Sequence, residues 1–447
     1  MRSPIARFLP LVTPLLFAVP LAAQTPDQDH LKDNVFAHLT WRELGPVQSG
    51  GRIVDIAVHP QKNRVFWVAA ASGGLWKTEN GGLRFSAQFQ DAPSISIGDL
   101  AVAPGNGEVL YVGTGEANNQ RSSYWGNGVH KSTDGGKTWR HVGLDRSEHI
   151  GRIAIHPADP DVVYVAALGA LYSPNDGRGL YKTTDGGVRW QRVHHLGADV
   201  GFVDVALDPR NPDTVFAASY ERRRRAWNLT EGGQGSRLWK STDAGASWKQ
   251  LEAGLPEGVL GRIGLDLSGD GRTLYATIEN LNPRGTKPAT VVTDPTEGEP
   301  REGGPKDAGS APELPGEFLA DRTAFAEWQR QVEQAQDPVR RARKPNVGGE
   351  VYRSNDGGTT WKKTHDDDTD VGGSPGYYYG QIRIDPNDKD TVYVLSVPVH
   401  RSTDGGKTWT PGRGRGGAGG GAGGGGGAFA SRYGSPSMPS SSAVTRG

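Results

Sequence analysis

Cysteine is absent from this chain of 447 residues, which excludes disulfide bonds, thiol catalysis and thiolate metal sites. The 50 basic and 50 acidic residues cancel, so no overall charge favours binding to nucleic acid or to an anionic membrane. The sequence shows no histidine pair at metal-ligand spacing and no calcium-binding loop, and we expect neither a metal nor another cofactor.

Long apolar runs are also lacking, apart from one near the N-terminus. There, Arg2 and Arg7 precede a mostly apolar stretch, and Leu21–Ala23 is followed by polar residues. This order is typical of a signal peptide, and we predict one at residues 1–23, followed by a linker at 24–38. A membrane anchor is disfavoured, because the run is short and interrupted by prolines. We therefore expect an exported protein, periplasmic or extracellular, with no membrane span after cleavage.

Glycine is abundant, with 65 copies, and many of them belong to a recurring pattern, Ser/Thr-x-Asp/Asn-x-Gly-x-x-aromatic. Four of the five steps between successive copies are 48 to 58 residues, and the remaining step is 113. A period near fifty with strand-like content indicates a propeller or a solenoid. The six copies are Thr78–Phe85, Ser132–Trp139, Thr183–Trp190, Ser241–Trp248, Ser354–Trp361 and Ser402–Trp409.

Each copy reads as a hairpin turn in which a carboxylate or amide oxygen accepts backbone N–H groups and glycine supplies positive φ. We therefore predict a structural role for the acidic or amide residue of each copy rather than a catalytic or metal-binding one. These residues are Asn80, Asp134, Asp185, Asp243, Asp356 and Asp404.

The segment between two copies contains four short strand-like runs, as residues 153–193 illustrate. Four antiparallel strands per unit form one propeller blade. The predicted fold is an all-β propeller of four-stranded blades at residues 39–410, with six recognisable blades.

The repeated pattern resembles the Asp-box, or BNR repeat, of sialidases, xyloglucanase-type glycoside hydrolases and the Vps10/sortilin ectodomain. Longer strings, among them Trp41–Pro46, Gly50–Asp55, Thr114–Asn119 and Arg222–Trp227, are similar to exported bacterial proteins of the sortilin N-terminal-domain type. This resemblance implies a β-propeller that binds a glycan or a peptide, or that hydrolyses glycosidic bonds. In the xyloglucanase family the cleft lies between two propellers, and this chain offers at most one.

Two regions interrupt or follow the repeats. Residues 283–346 form an insertion between two strands of the fifth blade, and the apolar spacing at 317–333 predicts one helix within it. Residues 411–447 are rich in glycine and serine and are expected to be disordered.

Closure of the ring has two interpretations. Residues 40–44 look like the fourth strand of a blade and could complete a six-bladed ring. Alternatively, they belong to a ring of seven or more blades of which this chain is a truncated part, which is the interpretation we favour from the sequence.

Candidate site residues fall in two groups. When the first strands of the six blades are aligned, one position is charged in five of them and is expected to face the channel. The residues at this position are Asp55, Asp99, Arg152, Asp204, Arg262 and Gln381. These residues form either a polar ring that binds a ligand or an Asp–Arg network whose charged groups pair with one another.

Two long loops form the second group. One contains Glu116, Asn118, Asn119, Arg121 and Trp125, a composition that suits sugars. The other carries Arg222, Arg223 and Trp227 in an arginine run that suits an acidic ligand.

The main hypothesis is a binding module that recognises a glycan or peptide at its channel mouth, with Arg152, Arg262 and the loop residues as ligand contacts. The alternative is a glycoside hydrolase that uses a carboxylate pair among Asp55, Asp99, Asp204 and Glu116. A structural role in an envelope assembly is the third. The sialidase Arg-Ile-Pro signature is absent, since Arg52-Ile53 continues into Val54. The sequence leaves the ligand, the occurrence of catalysis and the oligomeric state open.

Overall fold

The computed structural model describes residues 51–118, 123–225, 228–283, 346–367, 369–372, 376–396 and 399–411. The predicted signal peptide, the linker, the insertion helix and the C-terminal tail lie outside these residues, as do Asn119, Arg121 and Trp227. Among the described residues, none belongs to a helix long and apolar enough to cross a membrane.

Six antiparallel sheets of four strands make up the described chain, and each is one blade. Blade 1 has β1 Ile53–Val58, β2 Phe66–Ala70, β3 Gly74–Thr78 and β4 Ser86–Ala87; blade 2 has β5 Ile97–Ala103, β6 Asn106–Thr114, β7 Val129–Ser132 and β8 Arg140–His141; blade 3 has β9 Ile150–Ile155, β10 Val163–Ala167, β11 Gly179–Thr183 and β12 Gln191–His194. A 3-10 helix, Asp145–Ser147, joins blades 2 and 3.

The remaining blades repeat this order. Blade 4 has β13 Val200–Leu207, β14 Val215–Glu221, β17 Leu238–Ser241 and β18 Lys249–Leu251, with a small extra hairpin of β15 Arg223–Arg224 and β16 Leu229–Thr230; blade 5 has β19 Leu260–Leu267, β20 Leu274–Pro283, β21 Asn346–Ser354 and β22 Lys362–Lys363; blade 6 has β23 Gln381–Asp385, β24 Asp388–Leu395, β25 His400–Ser402 and β26 Thr410–Pro411. The prediction of an all-β propeller with six four-stranded blades is confirmed.

The repeated box is the hairpin between the third and fourth strands of each blade. In blade 2, Asp134 Oδ1 accepts the amide of Thr138 at 2.9 Å, and the Ser132 hydroxyl accepts the amide of Gly136 at 2.9 Å. The same two bonds recur in the other five blades. The acidic or amide side chain is thus already engaged by its own turn, as the local pattern predicts.

The hydrophobic core is divided into clusters between successive blades rather than lying in one centre. Blades 1 and 2 share a cluster around Trp67 and Leu110, and comparable clusters join each later pair up to blades 5 and 6. The second strands lie deepest: all five residues of β10 are buried. β-Branched and small side chains suit this position, because both faces of the strand pack against neighbouring sheets.

Glycine allows the first strands to approach each other closely around the axis. A Cβ on Gly98 would collide with the carbonyl of Ile150 in blade 3, and one on Gly151 would collide with the carbonyl of Val203 in blade 4. At these two positions the channel-lining strands can approach this closely because glycine has no side chain.

Candidate functional site

The loops between the second and third strands lie on one face of the propeller, opposite the boxes. On this face, the loop of blade 2 at residues 115–118, here called the mouth loop, reaches across the channel. Glu116 receives two hydrogen bonds from Arg52 of blade 1, at 2.9 and 2.6 Å, and its carbonyl contacts His149 of blade 3 at 2.7 Å. Asn118 accepts a bond from Arg262 of blade 5 at 2.7 Å.

Glu116 is fully buried, so its carboxylate is committed to Arg52 and is closed to solvent. Burial lowers the pKa of His149 to about 3, which keeps that ring neutral beneath the loop. The mouth loop is therefore tied by hydrogen bonds to blades 1, 3 and 5.

The arginine run of blade 4 is not a solvated patch along its whole length. Arg222 is fully buried and donates to the carbonyl of Ala117 in the mouth loop at 3.0 Å. Burial, aided by the nearby charge of Arg178, lowers the pKa of Arg222 to about 9. Arg223 forms an ion pair with Asp199 at 3.3 Å. These contacts give Arg222 a role in holding the mouth loop.

The channel-lining carboxylates Asp99 and Asp204 meet at Arg152. Arg152 donates to Asp99 and Asp204 at 3.1 Å each. Asp99 also accepts the amide of Ile153 in blade 3, and Asp204 accepts the amide of Leu265 in blade 5. Both carboxylates are buried, and each accepts a hydrogen bond from the next blade. This arrangement favours the interpretation of an Asp–Arg network whose groups bond to one another over that of a ligand-binding ring.

Asp266 makes the corresponding bond one blade later, since it accepts the amide of Ile384 in blade 6 at 2.7 Å. The sequence alignment missed Asp266, because it placed Arg262 at the aligned position of that strand.

The two remaining predicted residues of the channel lie where blades 6 and 1 meet. The Gln381 side chain contacts the carbonyl of Val54 at 3.5 Å. Asp55 lies close enough to Asp99 and Arg152 for its charge to affect the pKa values of both.

A cavity of about 270 Å³ opens beside the mouth loop, on blade 5. We call it the carboxylate pocket, and its polar lining includes Glu231, Arg262, Glu279, Asn280, Asp370 and Tyr377. Glu231 comes from the loop of blade 4, Glu279 from β20, and Asp370 from the link between blades 5 and 6. The sequence prediction included Arg262 but missed the three acidic residues.

Glu279 is the electrostatically distinctive group of the carboxylate pocket. Burial, reinforced by the negative charge of Glu231, raises the pKa of Glu279 to about 7. Its carboxylate accepts the amide of Arg262 at 3.3 Å and lies against Gly261 and Gly376. A Cβ at either glycine would collide with this carboxyl group, so the two glycines leave the space that it occupies.

Asp370 and Arg262 also line the carboxylate pocket. Asp370 is exposed and accepts the amide of Gly349 at 2.7 Å. Arg262 is buried and points its Nη1 at the mouth loop, while its Nε has no hydrogen-bond partner among the described residues. A buried guanidinium N–H at a pocket wall can donate to a hydroxyl or carboxylate that enters.

Exposed aromatic side chains lie on the same face. Tyr124 and Trp125, which follow the mouth loop, are 54% and 68% exposed, and Tyr172 of blade 3 is 51% exposed. Flat, accessible rings of this kind are suited to the C–H faces of sugars. Of the predicted glycan-binding loop, Trp125 is therefore accessible, whereas Glu116 and Asn118 are engaged within the protein.

Comparison with known proteins agrees with the repeat architecture. Residues 127–258 match the family model described as sortilin (Vps10, neurotensin receptor 3), and residues 400–411 match the BNR/Asp-box repeat. A xyloglucanase of Hypocrea jecorina (strain QM6a) is 22% identical over 407 residues, covering 84% of this chain and 40% of the relative. A xyloglucanase of Acetivibrio thermocellus is 25% identical over 262 residues, covering 49% and 29%.

Solved structures show the same fold. An ancestral GH74 enzyme superposes with a TM-score of 0.51 at 19% identity, over 83% of this chain and 39% of that one. The GH74 enzyme of Niastella koreensis gives a TM-score of 0.50 at 17% identity, over 80% and 46%. The chain thus spans less than half the length of these relatives. It is a β-propeller of BNR/Asp-box repeats, similar to the sortilin family and to GH74 xyloglucanases.

Proposed function

We propose that this chain is a glycoside-hydrolase-type propeller that acts on a β-glucan such as xyloglucan, in the carboxylate pocket of blade 5. The observation that carries this proposal is the cavity of about 270 Å³ that Glu279 lines together with Glu231 and Arg262. Burial and the charge of Glu231 raise the pKa of Glu279 to about 7. Glycosidases require one carboxylic acid with a raised pKa and a second carboxylate. The sequence similarity to two xyloglucanases supports the same reaction class.

In this proposal Glu279 is the general acid, which is protonated below about pH 7 and gives its proton to the leaving glycosidic oxygen. Glu231 is the second carboxylate and acts as the general base: it takes a proton from a water molecule, whose oxygen bonds to the anomeric carbon as the glycosidic bond breaks. Arg262 binds a hydroxyl through its inward N–H, and Tyr124 and Trp125 hold sugar rings outside the pocket. An exported protein would meet such a polysaccharide outside the cell, in line with the predicted signal peptide.

Release of reducing ends from xyloglucan by the full chain tests this proposal. We expect Glu279→Gln to reduce turnover by roughly 10²-fold or more, because the amide cannot supply a proton. Glu252→Gln is the matched control, since Glu252 is an exposed glutamate between blades 4 and 5. Turnover that is unchanged in Glu279→Gln would contradict the assignment.

The second candidate function is glycan binding without hydrolysis, the main hypothesis from the sequence. It is supported by the exposure of Tyr124 and Trp125 on the loop face. Saturable binding of xyloglucan that Trp125→Ala weakens, with no release of reducing ends by the unmodified chain, would favour this function over hydrolysis. Absence of both binding and turnover would contradict both candidates.

A further inference from the structure

Three successive residues of the mouth loop each accept hydrogen bonds from an arginine of a different blade. The three pairs, with blades 1, 4 and 5 respectively, are Glu116 with Arg52, the carbonyl of Ala117 with Arg222, and Asn118 with Arg262. Of the three arginines, Arg262 is the one that lines the carboxylate pocket. The last residue of the mouth loop is therefore bonded to a side chain of the candidate site.

Arg262 connects the mouth loop to Glu279 through both its backbone and its side chain. Its backbone amide donates to the carboxylate of Glu279 at 3.3 Å. Its Nη1 donates to Oδ1 of Asn118 at 2.7 Å and to the carbonyl of Tyr378 at 3.2 Å. One residue thus contacts the general acid of the proposed reaction on one side and a loop of blade 2 on the other.

These contacts fix the direction of the remaining guanidinium N–H groups of Arg262. The guanidinium is planar, so a side chain held at Nη1 and along its stem has little freedom to turn its Nε–H. The stem packs against Gly380, where an added Cβ would lie 3.4 Å from Cδ of Arg262. Since Arg262 is only 4% exposed, no surrounding water competes for these positions.

The charge of Arg262 is not matched by a direct carboxylate partner. Both of its side-chain hydrogen bonds go to neutral oxygens, and within the described part of the chain it forms no ion pair. Its Nε–H is buried and has no acceptor there. A buried donor of this kind is costly unless a partner reaches it, and a ligand hydroxyl in the carboxylate pocket is such a partner.

We propose that Asn118 is a positioning residue of the carboxylate pocket. It accepts Nη1 of Arg262 and thereby aims the Nε–H of that arginine at a hydroxyl of the bound sugar. This inference rests on the proposed function, because it assigns the group that orients a ligand contact of the same reaction. A loop of blade 2 thus takes part in the site, although Asn118 itself does not line the cavity.

A double-mutant cycle on xyloglucan turnover by the full chain tests this role. Asn118→Leu removes the acceptor at similar side-chain size, and Arg262→Lys keeps the charge but removes the Nε–H. We expect Asn118→Leu to lower kcat/KM roughly tenfold, as for the loss of a hydrogen bond to a charged group. The loss should appear mainly as a higher KM, because a hydroxyl contact is present before and during the reaction. Adding Asn118→Leu to Arg262→Lys should cause no further loss, since both act through one group.

Two further variants separate positioning from a general effect on folding. Asn118→Asp keeps an oxygen at the same place and should retain kcat/KM within about twofold of the unmodified chain. Asn118→Ala removes the acceptor without adding apolar bulk and should repeat the loss seen in Asn118→Leu. The matched control is Asn355→Leu, because Oδ1 of Asn355 accepts Nε of Arg353 at 2.8 Å in the box of blade 5. This control should leave kcat/KM unchanged.

The outcomes distinguish this inference from the proposed function. Additive losses in the double variant, equal losses in Asn118→Leu and Asn355→Leu, or no recovery in Asn118→Asp would overturn the role of Asn118 while hydrolysis stands. If the unmodified chain binds xyloglucan without hydrolysing it, the same cycle is measured in Kd and is judged by the same criteria. Absence of both binding and turnover in the unmodified chain would overturn the inference together with the proposed function.

Discussion

Arg52 of blade 1 forms a two-bond ion pair with Glu116 of the mouth loop, with N–O distances of 2.9 and 2.6 Å. The glutamate is fully buried, whereas the arginine is 36% exposed. Charge-assisted, bidentate pairs of this geometry are the strong members of their class. The pair fixes the mouth loop of blade 2 to the neighbouring blade 1.

Glu116→Gln should lower the free energy of unfolding by roughly 1–3 kcal/mol, because a buried amide replaces a carboxylate that receives two arginine bonds. Urea denaturation of the full chain measures this loss. Glu79→Gln is the control, because Glu79 is 72% exposed in its pair with Lys77. Its loss should stay under about 1 kcal/mol. Equal losses in the two variants would show that the buried pair contributes no more than a surface one.

Arg152→Met should destabilise the propeller more at pH 8 than at pH 4. The substitution leaves the buried carboxylates of Asp99 and Asp204 without their shared cation, a change that costs about 3–5 kcal/mol for such groups. Burial raises the pKa of Asp99 even in the native protein. A raised folded-state pKa means that stability is present at low pH and is lost as the pH increases, so acid should partly restore the variant.

Urea denaturation at pH 4 and pH 8 checks this expectation for Arg152→Met. Arg192→Met provides a control on the outermost strand of the same blade, where the guanidinium donates to the exposed carbonyl of Asp176. Its loss of stability should be small and independent of pH. A loss in Arg152→Met that is equal at both pH values would mean that the two carboxylates carry no uncompensated charge.

The boxes should make the protein sensitive to acid below about pH 4. Hydrogen bonds from Thr360 lower the pKa of Asp356 to about 2, and the carboxylate is almost fully exposed. A lowered folded-state pKa gives stability that is present above the unfolded value near 3.8 and is lost as the pH falls toward 2. The contribution of one such box should be under about 1 kcal/mol because of its exposure.

Asp356→Asn isolates this contribution, since blade 1 already carries Asn80 at the same position of its box. Thermal unfolding at pH 5 and pH 2.5 should show a smaller acid-induced decrease for the variant than for the unmodified chain. Asp367→Asn, a change of another exposed carboxylate with a lowered pKa, tests whether the effect is specific to the box. Identical acid sensitivity in all three proteins would contradict the prediction.

The sequence predicted the blades because each box is a local device: Ser132, Asp134 and Gly136 satisfy one another within a single turn. It could not predict the carboxylate pocket, because Glu231 and Glu279 are neighbours only through the packing of blade 4 against blade 5. The arginine run looked solvent-facing, yet Arg222 is buried beneath the mouth loop. Long-range contacts of this kind leave no periodic signal in the chain.

Glu279 itself gives the most discriminating prediction, because its effect on stability is measurable without any substrate. Its pKa of about 7 lies above the ordinary value of 4.5, so the stability that its protonated form contributes is lost as the pH rises through 7. Glu279→Gln, which cannot ionise, should therefore be more stable than the unmodified chain at pH 8 by roughly 1–3 kcal/mol, and about equally stable at pH 4.5. Glu252→Gln should show no such dependence.

The outcome for turnover decides what the raised pKa of Glu279 means. If Glu279→Gln gains stability at pH 8 and loses turnover, the protein keeps this carboxyl group in an environment that lowers stability because catalysis depends on it, as is common in active sites. A gain in stability without loss of turnover would leave Glu279 as a buried acid with no catalytic role, and equal stabilities at both pH values would contradict its raised pKa.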